Sequence, residues 1–199
     1  METKFEELIQ SYLDNNLGLV NNFLSEELAH ALKENILLLY KEKRLKEAGI
    51  GNNAKLVGNK EIRSDMIFWL DRNQGNPIVN SFFDVIDAYV KYMNETCYAG
   101  ITGYEFHYAF YEEGSFYKRH VDQFQNNQGR EFSMITYLND NWQEGDGGEL
   151  CLYLENEERK INPIFGRSVL FKSREIEHEV LLSHKNRLSL TGWFKVGYS

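Results

Sequence analysis

The chain has 199 residues, and its 22 Lys and Arg stand against 30 Asp and Glu, for a formal net charge of −8. That length suits one domain with a core large enough to fold without a disulfide or a structural metal, and the acidic balance speaks against a nucleic-acid partner, whose phosphates it repels. The two cysteines, Cys97 and Cys151, have no C-x-x-C spacing, and there is neither an N-terminal apolar signal region nor a bilayer-length apolar run; these features predict a reduced, cytoplasmic setting without a membrane, with both thiols buried.

Helical periodicity comes first along the chain. Phe5, Leu8, Ile9, Tyr12 and Leu13 form one apolar stripe, and a second with Leu28, Leu32, Ile36 and Leu39 follows the cap candidate Ser25. The cluster Lys41, Lys43, Arg44 and Lys46 reads as a solvated helix end, where cations favour the helix dipole. A Gly- and Asn-rich loop over 49–59 leads to Ile62-Arg63-Ser64-Asp65. Arg63 and Asp65 are alternate residues, which either face a bound peptide together or pair with each other as a surface bridge. Asn76 as cap and Pro77 in the first turn open a third helix carrying Ile78, Phe82, Val85, Ile86, Tyr89 and Met93 on one side.

From Ile101 the period falls to two: Tyr104, Phe106, Tyr108 and Phe110 alternate with Glu105, His107 and Ala109, and several short strands follow, separated by Gly- and Asn-rich turns. The pattern predicts an α+β chain, mainly β, with a sandwich or barrel as its core. One domain over 1–199 is expected, mostly helical support in 1–95 and strands in 101–196.

The chemistry-bearing residues lie in the strand half. His120 and Asp122 form an H-x-D pair, which on a strand places an imidazole and a carboxylate on one face. A distant histidine, His178, completes a set of two histidines and one carboxylate, the arrangement that leaves positions open on a non-haem iron(II). In Arg187-Leu188-Ser189-Leu190-Thr191, alternation puts Arg187, Ser189 and Thr191 on one face. A polar row where a core face should be apolar calls for a ligand, and a guanidinium fork suits a carboxylate. A catalytic zinc could use the same three ligands. Hydrolysis lacks a base, however, because Glu177 and Glu179 are strand neighbours of His178 and point away from it. His30, His107 and His184 read as ordinary histidines.

The order of these motifs resembles the 2-oxoglutarate and iron(II)-dependent dioxygenases, within them the prolyl 4-hydroxylase superfamily, and closest to the branch of the oxygen-sensing prolyl hydroxylases and their bacterial relatives. The resemblance covers roughly residues 60 to 195. It rests on Ile62-Arg63-Ser64-Asp65 before Trp69 (with serine where the branch has glycine), Tyr111, the run from Gly114 to Asp122, Thr136-Tyr137-Leu138-Asn139 before Trp142, Gly147-Gly148-Glu149-Leu150, His178-Glu179-Val180, Arg187 and Trp193.

The resemblance implies a double-stranded β-helix, a jelly roll with N-terminal supporting helices. It implies Fe(II) on His120, Asp122 and His178, 2-oxoglutarate anchored by Arg187 and Tyr137 with Thr191 and Tyr111 alongside, O2 as oxidant and ascorbate as reductant. The implied reaction is hydroxylation of a prolyl residue in an intracellular protein, with 2-oxoglutarate decarboxylated to succinate and CO2. A finger loop over about 49–70 would close over that substrate, with Arg63 and Asp65 contacting it, and a translation factor is the target class suggested for a bacterial source. A hydroxylase of a free amino acid or other small molecule, and a non-catalytic jelly-roll binding module, are the other readings, and either a monomer or a homodimer is compatible.

Overall fold

A computed structural model of the chain describes residues 1–49, 61–122, 129–155 and 157–197. The three expected helices form where the periodicity places them: α1 (Glu2–Asn15), α2 (Glu26–Lys41) and α3 (Pro77–Cys97). Ser25 caps α2 by accepting a hydrogen bond from the Leu28 amide at 3.3 Å, and Asn76 caps α3 by accepting from the amides of Ile78 and Val79. These side chains satisfy donors that a helix start leaves without intrahelical partners. The stripe of α1 is narrower than expected: Phe5, Leu8 and Ile9 are buried, but Leu13 is exposed.

Eleven strands build two antiparallel sheets among the described residues. The larger has the order β1 (Gly18–Asn21), β9 (Arg167–Lys172), β6 (Arg130–Tyr137), β11 (Arg187–Val196), β4 (Ile101–Tyr111), β3 (Met66–Trp69), β2 (Lys46–Glu47). The smaller has β5 (Tyr117–His120), β10 (Glu177–Val180), β7 (Leu150–Tyr153), β8 (Glu158–Ile161). The helical N-terminal half thus contributes three strands to the larger sheet, a pairing that short runs such as Gly18–Asn21 do not advertise. Residues 50–60 of the segment expected as a finger loop lie outside the described residues; its last part is β3, paired with β4.

Strand alternation divides the core in two. Phe106, Tyr108 and Phe110 of β4, with Leu188, Leu190 and Phe194 of β11, pack under the helices against Leu32, Phe82, Ile86 and Tyr89. Their neighbours Ala109 and Tyr111, with Ile135, Tyr137, Val169 and Phe171, face the smaller sheet's Leu150, Leu152 and Val180. The architecture is the expected jelly roll, with the polar candidates on its inner face.

The prediction of two buried thiols needs correction: Cys151 is buried on β7, but Cys97 is exposed at the last turn of α3, where the apolar stripe has already ended at Met93. No helix among the described residues is long and apolar enough to cross a membrane.

His107 is enclosed, with its ring 5.0 Å from that of Trp69 and 5.5 Å from that of Trp193. Burial, only partly offset by the Tyr108 carbonyl that its Nδ1 reaches at 3.0 Å, pushes its pKa down to about 4. The unfolded chain therefore binds a proton that the folded chain refuses. Stability from this group is full above about pH 6.5 and falls as pH drops towards 4, by about 2 kcal/mol between pH 7.5 and 5. Urea unfolding of the parent and of His107→Gln at both pH values checks this, and the variant should show the smaller loss.

Candidate metal centre

β5 and β10 are antiparallel, and His120 and His178 are direct cross-strand partners. Their rings lie 4.3 Å apart, centroid to centroid. Asp122 reaches the same point by a different route from the one expected. β5 ends at His120, and the Asp122 amide instead donates to the Ser173 carbonyl, 3.1 Å away just past β9. The chain here crosses from the smaller sheet to the larger one, and the carboxylate still falls between the two imidazoles: Oδ1 is 3.6 Å from His120 Nε2 and Oδ2 is 3.5 Å from His178 Nε2. The three ligand atoms lie within 4.8 Å of one another.

Both histidines present Nε2 to this point for the same reason. His120 Nδ1 lies 2.7 Å from the Lys118 carbonyl and His178 Nδ1 3.1 Å from the Ile176 carbonyl. A carbonyl can only accept, so each Nδ1 carries the proton and each Nε2 offers a lone pair, the tautomer that a metal requires. Burial pushes the His178 pKa down to about 4, keeping the ring neutral. For Asp122, burial opposes ionisation, but its interactions with His178 and His120 and the Ser133 hydroxyl outweigh it and hold the carboxyl well below the usual carboxylate range. Tyr117, half-buried, stacks on His120 with ring centroids 3.5 Å apart.

Beside the triad, Arg187 is buried at the start of β11. Its Nε donates to the Gly148 carbonyl at 2.8 Å and its Nη1 to Ser189 Oγ at 3.3 Å, and Ser189 Oγ lies 3.4 Å from Thr191 Oγ1, so the polar row is continuous. The guanidinium carbon sits 4.8 Å from the Tyr111 ring centre and 5.0 Å from that of Tyr137. No acidic side chain of the described residues forms an ion pair with it. The buried Tyr137 hydroxyl has no hydrogen-bond partner among the described residues. Burial raises the Tyr137 pKa, so the phenol keeps its proton and remains a donor. A buried cation with no counter-charge beside an unpartnered donor is costly unless an anion joins them. This donor set fits a carboxylate, and the triad fits a divalent metal with open positions.

Arg63 and Asp65 lie behind Tyr117, next to the triad. They form a bidentate pair, Nε to Oδ1 at 2.7 Å and Nη2 to Oδ2 at 2.6 Å, but Asp65 is buried, so the bridge is not the surface contact that alternation allowed. The Arg63 guanidinium lies 4.2 Å over the Tyr117 ring and so connects this pair to His120. Glu177 pairs with Arg119, and Glu179 with the Tyr153 hydroxyl, both away from the triad.

Three residues without an assigned role in the sequence matter here. Ser133 donates to Asp122 Oδ2 at 2.6 Å, with Ser173 behind it, while Asn139 accepts from the Leu188 amide and donates to the Pro163 carbonyl, anchoring β11 next to Arg187. Alternation could have found the first two: Ser133 shares the face of Ile135 and Tyr137, and Ser173 continues that of Val169 and Phe171.

A His-Asp-His cluster inside a jelly roll, with a buried arginine suited to a carboxylate beside it, defines the class of 2-oxoglutarate-dependent iron oxygenases, and the comparisons agree. The model of the 2OG-Fe(II) oxygenase superfamily matches residues 106–195. The crystal structure of a Pseudomonas putida prolyl-4-hydroxylase superposes with a TM-score of 0.85 at 31% identity, covering 97% of this chain and 99% of that one. A Trichoplax adhaerens prolyl hydroxylase, solved in complex with a hypoxia inducible factor oxygen degradation domain peptide fragment, gives 0.85 at 29% identity, covering 98% and 90%. The Mus musculus prolyl hydroxylase EGLN3 is 29% identical over 195 residues, 88% of this chain and 76% of that protein.

The chain belongs to the 2OG-Fe(II) oxygenase superfamily, as an oxidoreductase homologous to the EGLN prolyl hydroxylases and to the bacterial prolyl-4-hydroxylase. Fe(II), 2-oxoglutarate and O2 come with that membership.

Proposed function

We propose that the protein hydroxylates a prolyl residue of an intracellular protein. The observation that carries this reading is the buried Arg187 beside the unpartnered Tyr137 hydroxyl, placed next to the His-Asp-His cluster in a chain whose relatives are prolyl hydroxylases. His120, Asp122 and His178 would hold the iron. Arg187 and Tyr137 take the far carboxylate of 2-oxoglutarate, with Thr191 and Tyr111 lining the same pocket.

When bound, iron and 2-oxoglutarate supply the oxidising chemistry, in which O2 and 2-oxoglutarate give succinate and CO2 while a substrate C–H becomes C–OH. The residues of the chain position and shield. The two Nδ1–H to carbonyl bonds orient the imidazoles, and Phe171 covers the His178 ring edge-on at 4.8 Å. Arg63, fixed by Asp65, lies over Tyr117, and in this reading the pair lines the path of the peptide. A cytoplasmic protein with an accessible proline is the proposed substrate, with a translation factor the first class to test, ascorbate the reductant, and the protein acting as a monomer or homodimer.

The test is mass spectrometry of proteins incubated with the purified enzyme, Fe(II), 2-oxoglutarate and 18O2, against His178→Ala. Labelled hydroxyproline at one site, absent with the variant, is expected. Succinate formation without labelled protein would overturn the protein substrate and move the search to free amino acids.

A further inference from the structure

The Asp122 carboxylate has a partner besides the two imidazoles. Ser133 Oγ donates to its Oδ2 at 2.6 Å, and Ser173 Oγ stands 2.9 Å behind Ser133 Oγ, with both serines fully buried. An ionised carboxylate can only accept, so Ser133 must give its proton to Asp122. Ser133 then has lone pairs free, and the Ser173 hydroxyl is left to donate to it. The relay therefore has one direction, Ser173 to Ser133 to Asp122. The Asp122 backbone is fixed as well, its amide on the Ser173 carbonyl and its own carbonyl accepting from Arg130 Nη1 at 3.1 Å.

We infer that this serine relay is a positioning device: by holding Oδ2, it fixes the orientation of the carboxylate between His120 and His178, so that Asp122 would give a metal one oxygen rather than two. The inference rests on the iron-site reading above. Its consequence concerns the count of open positions. On a six-coordinate metal, three protein ligands each giving one atom would leave three positions for cosubstrate and O2. A carboxylate that swings to bind through both oxygens would take one of them. Two buried hydroxyls, where core strands would otherwise carry apolar side chains, thereby keep the site open. Ser133 is set on β6 opposite Trp193 of β11 and Phe171 of β9, so its place is as rigid as the sheet itself.

Metal binding and cosubstrate binding separate this role from mere support. The apo parent, Ser133→Ala, Ser173→Ala and Ser133→Thr are titrated with Mn(II) under anaerobic conditions, reading free Mn(II) by EPR, and then with 2-oxoglutarate, with Tm recorded for each. Ser133→Ala is expected to weaken Mn(II) binding by roughly 10-fold or more, as loss of a partner behind a metal ligand does. Ser133→Thr, which keeps the hydroxyl, should restore it, and Ser173→Ala should lie between. The Mn(II)-loaded Ser133→Ala should also bind 2-oxoglutarate more weakly than the parent.

Equal Mn(II) and 2-oxoglutarate affinities in the parent and Ser133→Ala overturn the inference while leaving the metal centre intact. A parent that binds no Mn(II) would instead overturn the metal reading itself. If Ser133→Ala does not fold, Ser173→Ala carries the decision: unchanged affinities there sink the relay.

Discussion

Arg187→Ala is expected to weaken 2-oxoglutarate binding by roughly 30-fold to several thousand-fold while leaving metal binding nearly unchanged. The size follows from where the guanidinium sits. It is buried between the rings of Tyr111 and Tyr137 and has no acidic partner among the described residues. A carboxylate placed there would form a charge pair shielded from water. Removing one member of such a pair costs about 2–5 kcal/mol, and each 1.36 kcal/mol is a factor of ten.

Arg187→Lys should recover only part of the loss. An ammonium keeps the charge but not the planar fork, and its shorter set of donors would give up the Gly148 carbonyl or the ligand. Titration calorimetry with Mn(II)-loaded protein gives the affinity directly, and the KM for 2-oxoglutarate should rise in parallel. An affinity within three-fold of the parent would remove Arg187 from the site. A hydrolase using the same three metal ligands would be indifferent to the change, so this substitution also separates the two chemistries.

Much of this site was legible because strand alternation is a strict rule. Arg187, Ser189 and Thr191 share a face as period two demands, and Glu177 and Glu179 turn away from the triad as it forbids otherwise. The helices were equally readable from their caps and stripes. What alternation could not supply was the third dimension. H-x-D predicted both ligands within one strand, whereas β5 ends at His120 and Asp122 is fixed by Ser173, a residue 51 positions later in the chain.

The same limit hid the strands β1 to β3, which are too short to show a period and are defined by the sheet they join. The Arg63–Asp65 pair was open for a related reason. Spacing says that two side chains can meet, but their burial depends on Tyr117, brought in by the pairing of Arg63 with that residue across an isolated bridge.

Gly192 is a second position that patterning passes over, and Gly192→Ala should be among the most damaging single-methyl changes in the chain. Its backbone is extended, so no special dihedral is at stake; the constraint is space. A Cβ built there would lie 2.2 Å from Phe106 Cδ1 and 2.4 Å from the Glu105 carbonyl oxygen. The first contact involves a ring wedged edge-on against Phe82 and Phe194, with centroids at 5.2 and 5.8 Å. The second is with backbone of the neighbouring strand and cannot be relieved by a rotamer. Overpacking a filled core typically costs about 1–3 kcal/mol, and a backbone collision puts this site at the upper end or beyond.

For a chain of this size, about 3 kcal/mol lowers Tm by roughly 6–12 °C. Because Gly192 sits on β11 between Thr191 and Trp193, separation of β11 from β4 would also displace the row that carries Arg187. Phe106→Leu should partly rescue the variant by clearing the ring contact, with the Glu105 carbonyl left as the residual cost. Thermal melts of the parent, both single variants and the double variant give that coupling. A Gly192→Ala protein melting within 2 °C of the parent would show that β4 and β11 can part without penalty, contrary to the packing of Phe106 against Phe82 and Phe194.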